Sequence, residues 1–236
     1  MDWSYLIAAG KEGFRENVWV HHNATTGTTV GSAVNTSPTS YTSTEAMLSI
    51  DNTANVNNTS ATGSNVWVIP VSIDLTVVEG STGTFWAVRM QMDGATLFAS
   101  GGTTLSAGMT AFDTRTSWTA RTPYARCSFG DLTLASGTTS RVLLGDWPIS
   151  IGSSALTVGS TIRFNFGSSG GDTGTKDRTS GTAAVAGVSD VCIEMPPVFI
   201  GRGSSLILQP FASTATDLDF SVRVTCVELG HPRNTT

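Results

Sequence analysis

Apolar residues recur at every second position over several stretches of this chain, the spacing of a strand with one buried face. The clearest stretch is 66–77, where Trp67, Ile69, Val71, Ile73, Leu75 and Val77 share one parity and Ser72, Asp74 and Thr76 the other. The first set is expected to face a core. Pro70 falls in the outward set and has no N–H for a ladder, so it predicts a bulge or a sheet edge. Stretch 85–92 repeats the pattern, with Trp86, Val88, Met90 and Met92 inward and Arg89 and Gln91 outward. In 218–227, Leu218, Phe220, Val222, Val224 and Cys226 point in, while Asp217, Asp219, Ser221, Arg223 and Thr225 point out. Further strands are expected at 125–134, 141–151, 161–166, 191–200 and 204–211, separated by Gly/Ser/Thr/Asp clusters, which makes eight. Within 125–134, Cys127 and Phe129 share one parity and Leu132 and Leu134 the other, so the phase must flip at Gly130 and Asp131.

Helical period is nearly absent. The one local candidate is a turn or two at 42–47, where Thr42 and Glu45 have capping-box spacing. Residues 23–65 are dense in Thr, Ser, Asn and Gly with few large apolar residues, which predicts a long loop with short strands or a partly ordered flap. Residues 1–22 instead crowd Trp3, Tyr5, Phe14 and Trp19 into a short span, so they are expected to dock on their own domain or on a neighbour. Stretch 167–187 reads as one long loop. The predicted organisation is a docking arm at 1–22, a polar Thr/Ser/Asn-rich segment of the same domain at 23–65, and a sandwich core at 66–236. The expected fold class is all-β, a two-sheet antiparallel β-sandwich of jelly-roll form with an extended N-terminal arm.

Composition narrows the function classes. A chain of 236 residues suits one all-β domain. Charged residues are only 13%, about half the usual share, so the outward strand faces carry hydroxyls in place of charges. A formal net charge of −5, with Lys11 and Lys176 the only lysines, argues against condensation on phosphate backbones, and no nucleic-acid partner is expected. Cys127, Cys192 and Cys226 are too few and too far apart for a disulfide framework or a metal knuckle, which fits synthesis in a reducing compartment. The first residues lack a basic region and a long apolar run, and no later run approaches membrane-spanning length, so neither secretion nor a membrane partner is expected.

Several motifs touch on chemistry. Gly-Ser-Ser-Gly-Gly at 167–171 matches the nucleophile elbow formally, with Ser169 as nucleophile and Asp190 or Asp217 and His231 completing the order. The elbow needs a strand entering a helix directly, and the Gly/Asp/Thr-rich continuation here does not start one. Asp172-Thr173-Gly174 resembles the aspartic-protease triplet but lacks the apolar flanks that would desolvate the carboxyl. His21 and His22 are adjacent, so on a strand they point to opposite faces and cannot chelate one ion; one packed and one surface histidine is expected. Asp217 and Asp219 with Asp190 or Glu194 offer hard oxygens for Ca²⁺, against a simpler reading as a solvated face. Trp118 and Trp147 stand among turn residues, where an indole can stack on a sugar or fill a partner pocket. No catalytic residue, metal or cofactor is assigned.

The stretch 194–211, Glu-Met-Pro-Pro-Val-Phe-Ile-Gly-Arg-Gly-Ser-Ser-Leu-Ile-Leu-Gln-Pro-Phe, followed by a final alternating strand, resembles the ending of jelly-roll virion proteins of tailed bacteriophages. The resemblance covers about the last third of the chain. It implies a capsid decoration (cement) protein or related head protein, commonly a homotrimer, made in the host cytoplasm and seated on the outer capsid surface against the major capsid protein. The long polar amino-terminal region departs from a minimal jelly roll. Such a family brings no catalytic residues, so the candidates left are contact residues: Trp3, Tyr5, Phe14, Trp19, Trp118 and Trp147. An acidic chain without a basic arm fits outside a shell better than around its genome, and this weighs against a small-virus capsid protein. A carbohydrate- or receptor-binding module of a virion is the other alternative.

Overall fold

The computed structural model describes residues 15–23, 27–30, 35, 42–53, 66–79, 85–110, 123–136, 141–148, 158–167, 190–212 and 219–230. These residues contain no helix and form thirteen strands: β1 (Arg15–His22), β2 (Thr28–Thr29), β3 (Glu45–Asn52), β4 (Val66–Glu79), β5 (Phe85–Asp93), β6 (Phe98–Thr104), β7 (Ser106–Thr110), β8 (Ala125–Leu134), β9 (Val142–Pro148), β10 (Thr161–Phe166), β11 (Asp190–Met195), β12 (Ser205–Ala212) and β13 (Asp219–Gly230). Sheet A runs β11-β10-β4-β13-β1-β7, with β2 also on β13, and sheet B runs β6-β8-β3-β12-β5-β9. Every pairing is antiparallel except that of β10 with β11. The fold is an all-β two-sheet sandwich; these strand orders do not by themselves define a jelly roll.

One apolar core lies between the sheets. Sheet A supplies Ile73, Leu75, Val77, Ile162, Phe164, Phe220, Val222 and Val224, and sheet B supplies Leu48, Ile50, Val88, Met90, Cys127, Phe129, Leu206 and Leu208. Alternation along each strand delivers these side chains to a single face, and each contributes roughly 1.5–3 kcal/mol by leaving water. Rings lock the layers edge to face: Phe129 of β8 meets Phe220 of β13 at 6.3 Å, and Trp147 of β9 meets Phe164 of β10 at 6.0 Å.

All eight expected strands are present, with ends shifted by a few residues, and the phase flip in β8 occurs where parity demanded it. Gly130 has φ 116°, open to glycine and strained for other residues, and a Cβ there would lie 2.8 Å from the Thr28 side chain. Beyond it Leu134 joins Ala46, Leu97 and Ile207 in a second cluster on the opposite face of sheet B.

Three expectations need correction. Residues 42–47 are not helical: a turn, with the Glu45 N–H on the Thr42 carbonyl at 3.3 Å, leads straight into β3. The capping-box spacing fitted because that turn brings the same residues together. The boundary of the sandwich core at residue 66 is also wrong, since β3 lies at the middle of sheet B and β1 inside sheet A. Tertiary pairing overrode composition there, because a central strand can bury Ser49, Asp51 and Asn52 once each is hydrogen-bonded. The inward face assigned to 66–77 breaks at the proline. The pairing of β4 with β13 passes from Ser72↔Thr225 to Pro70↔Cys226, skipping Val71. This irregularity reverses the parity, so Val68 joins Ile73, Leu75 and Val77 in the core, while Ile69 and Val71 pack with Val18, Val227 and Leu229 in a separate cluster. Pro70 itself lies beyond the last β10 pair, Asn165↔Ser72, where no ladder asks for its missing N–H.

Candidate functional site

The outward face of sheet A carries two kinds of surface, divided by the Pro70 bulge. On one side, register places Cys192, Arg163, Asp74, Arg223, His22 and Ser106 in one row across six of the seven strands. Asp74 accepts from Arg163 Nε at 2.5 Å and contacts Arg223 Nη2 at 3.2 Å, while both guanidinium groups stay about half exposed. The neighbouring row holds Glu194, Asn165, Ser72 and Thr225, with Asn165 Nδ2 donating to Cys192 Sγ and Glu194 Oε1 at 3.2 Å each. A surface of this kind stays hydrated and is held together by cross-strand pairs.

On the other side of the bulge the face turns apolar. Ile69, Val227 and Leu229 are buried there with Val18 and Val71 against them. Trp67, opposite Leu229 in the register, leaves its side chain 46% exposed and meets Phe199 edge to face at 6.3 Å, with Phe199 itself 45% exposed. Gly201 lies beside the indole; a Cβ there would touch the Trp67 ring at 3.4 Å. On sheet B, β9, at the end of the described strand order, exposes Val142 and Leu143 by more than half, one on each face of the sheet, since they are consecutive and pair with Met92 and Gln91. Exposed aromatic and aliphatic groups at a sheet margin are what a protein contact buries, and an unpaired edge strand adds backbone donors and acceptors.

The sequence candidates separate clearly. Trp19 is not a contact residue: it faces inward beside Cys226, is 3% exposed, and donates its indole N–H to Glu228 at 3.0 Å. Residues 15–22 of the expected arm are thus a strand of their own domain. Trp147 is only partly exposed because its ring closes on Phe164 and lies against Gly145, where a Cβ would meet the indole at 2.7 Å. Trp3, Tyr5, Phe14 and Trp118 lie outside the described residues, as do Ser169, Asp172, Asp217 and His231. His21 is buried and His22 exposed, as adjacency on a strand requires. Burial, with His22 beside it, lowers the His21 pKa to about 4, and among the described residues its Nε2 has no hydrogen-bond partner. The Ca²⁺ reading fails on topology, because Glu194 on β11 and Asp219 on β13 are separated by β10 and β4, roughly 14 Å at ordinary strand spacing. Among the described residues no group of three or more His, Cys, Asp or Glu side chains is arranged to hold a metal ion. No helix among them is long and apolar enough to cross a membrane.

Glu228 is the functional-looking group that turns out to be architectural. Its carboxylate accepts the N–H groups of Tyr124 at 2.6 Å and Ala125 at 2.8 Å besides the Trp19 indole, tying β13 of one sheet to the start of β8 in the other. Burial pushes its pKa up, and these three hydrogen bonds pull against that shift. Sequence reasoning missed Trp67, Phe199, Val142 and Leu143. For Trp67 the signal was present: a proline inside an alternating run marks the point where parity can no longer be carried across. Comparison of the chain with protein-family models, with curated proteins and with solved structures returns no match.

Proposed function

We propose that the chain is a non-enzymatic structural protein of a virion, a decoration protein that binds the outer capsid surface and bridges neighbouring capsomers, working as a homotrimer against the major capsid protein. The observation that supports this reading most is the pair of separate exposed apolar sites, Trp67 with Phe199 on sheet A and Leu143 on the outward face of the end strand of sheet B. A bridging protein needs two surfaces facing different neighbours. It stabilises an assembled shell by mass action because it binds the shell and not the free subunits, and trimerisation makes weak contacts persistent through effective concentration. The resemblance of residues 194–211 to phage virion proteins supplies the particle, and the acidic, lysine-poor composition supplies the outer location.

The test is the solution mass of the full chain together with sedimentation alongside purified empty phage shells. A mass near three times 24.6 kDa and co-sedimentation lost at least tenfold in Trp67→Ala or Leu143→Asp, with melting temperatures within a few degrees of the parent, are the expected results. A monomer that ignores shells would overturn the reading. The exposed indole of Trp67 beside Phe199 favours one second reading, a carbohydrate- or receptor-binding module in which the ring stacks on a sugar face. Glycan-array binding abolished by Trp67→Ala would move the assignment there.

A further inference from the structure

Cys127 and Cys226 sit on different sheets, yet both point into the core and both are fully buried free thiols. Burial and the neighbouring Cys226 thiol together push the Cys127 thiol's pKa up, which places the two side chains next to each other. Facing sheets ordinarily lie about 10 Å apart, too far for a disulfide, which needs Cα atoms roughly 4.4–6.8 Å apart. Here β8 and β13 approach within 8 Å, Cα to Cα, despite belonging to opposite sheets. Two ties join these strands. Two residues before Cys127, the Ala125 N–H reaches the carboxylate of Glu228, which stands two residues after Cys226. Farther along, Phe129, two residues after Cys127, packs edge to face on Phe220, six residues before Cys226 on β13. The Glu228 tie thus joins the two strands two residues from each thiol, and a disulfide would require the sulfurs to close to about 2 Å.

We propose that Cys127 and Cys226 are a modification site, a thiol pair that becomes an inter-sheet disulfide when the chain meets a small disulfide oxidant such as oxidised glutathione. The reaction balances as thiol–disulfide exchange. One cysteine thiolate attacks oxidised glutathione and releases one glutathione thiolate, leaving a mixed disulfide; the second cysteine displaces the other glutathione. Two cysteine thiols lose two electrons and two protons, and one oxidised glutathione becomes two reduced molecules. Neither sulfur reaches solvent, so in the folded chain the oxidant enters only through transient opening of the sandwich, and closure is slow. During folding the same pairing meets no such barrier. Cys192 is unsuited to either partner: it lies on β11 at the margin of sheet A, held outward with Asn165 and Glu194. The chain would thus be assembled reduced and stapled after leaving a reducing compartment, across a loop of about 100 residues, long enough for a large entropic effect on the unfolded state.

The experiment unfolds the full-length reduced chain, refolds it in a glutathione redox buffer, and in parallel incubates the folded chain with oxidised glutathione. Expected are loss of two hydrogens from the intact mass, a proteolytic peptide pair joining Cys127 to Cys226, and a melting temperature raised by roughly 10 °C over the dithiothreitol-treated chain. Cys127→Ala should give no linked pair and no oxidation-dependent shift. The linked pair is read in the unsubstituted chain, so the conclusion does not depend on how well that variant folds. A refolded chain that keeps Cys127 and Cys226 as thiols, one that links either of them to Cys192, or a linked chain that melts below the reduced one would overturn the proposal.

Discussion

Two aspartates, both buried, stand on strands at the outward faces of the two sheets, and the partners that surround them differ. Asp51 of β3 in sheet B is fully buried: its carboxylate accepts from Ser49 Oγ at 2.9 Å, Ser205 Oγ at 2.6 Å and Arg126 Nη2 at 2.6 Å. The turn after β5 lies over this site, with the Ala95 carbonyl on Ser205 Oγ and the Leu97 N–H donating to the same hydroxyl. Asp74 of β4 in sheet A instead lies between two arginines whose own side chains are 49% and 59% exposed. Identical chemistry on equivalent faces thus has two roles. A covered sheet face makes its carboxylate part of the architecture, because an unsatisfied group there has no water to turn to, whereas an open face lets water replace either partner.

Substitution should expose that contrast most strongly at Asp51. Asp51→Ala leaves Arg126 without its counter-charge and strands the Ser205 and Ser49 hydroxyls, so a loss of about 3–5 kcal/mol in urea-unfolding free energy is expected. Asp74→Ala should lose no more than about 1 kcal/mol in the same measurement, since both guanidinium groups return to solvent. Equal losses at the two sites would show that the outer face of sheet A is covered as well.

The next effect in size is acid sensitivity within the sandwich. His21 titrates at about 4 in the folded chain against 6.5 unfolded. A depressed histidine pKa means that the unfolded chain binds the extra proton first. Stability is therefore unaffected above pH 6.5 and falls as the pH drops from 6.5 towards 4, by up to about 3 kcal/mol. Glu228 works in the opposite sense. Its raised pKa makes the folded chain take up a proton earlier than the unfolded one, returning some stability at the acid end of the window. Urea midpoints at pH 7.5, 6, 5 and 4 should show the decline, and His21→Asn should flatten it. His22, exposed on the other face of the same strand, should leave the slope largely in place when changed to Asn.

The covered and open faces were not equally legible in the sequence. Alternation in 85–92 and 218–227 named the core residues of β5 and β13 correctly wherever their side chains are described, because both strands bury one face and wet the other or cover it with polar groups. It failed for β3, whose Ser49, Asp51 and Asn52 read as loop composition although all are buried. Burying polar groups depends on partners such as Ser205 and Val66, far away in sequence, and no local pattern reports them. Trp67 fails for a different reason: one skipped residue at Val71 reverses every side chain before it. The candidate contact surface is thus a product of that irregularity, whereas Trp19, chosen because aromatic residues crowd the amino end, is held inside by Glu228.

The smallest expected effect sharpens the comparison from the open side. Among the described residues Arg223 reaches only Asp74, at 3.2 Å, with more than half of its side chain in solvent, and Arg163 keeps the shorter contact to the same carboxylate. Arg223→Ala should therefore shift stability by less than about 0.5 kcal/mol, and what difference there is should shrink between 0.05 and 0.5 M NaCl as the Debye length falls below the spacing of neighbouring strand rows. Arg126→Ala on sheet B is the matched control. Its guanidinium also packs over the Phe98 ring at 4.7 Å and pairs with a carboxylate that water does not reach, so its larger loss should persist at high salt. If salt erased both differences alike, the distinction between an architectural face and a solvated one would fail at the point where it is easiest to measure.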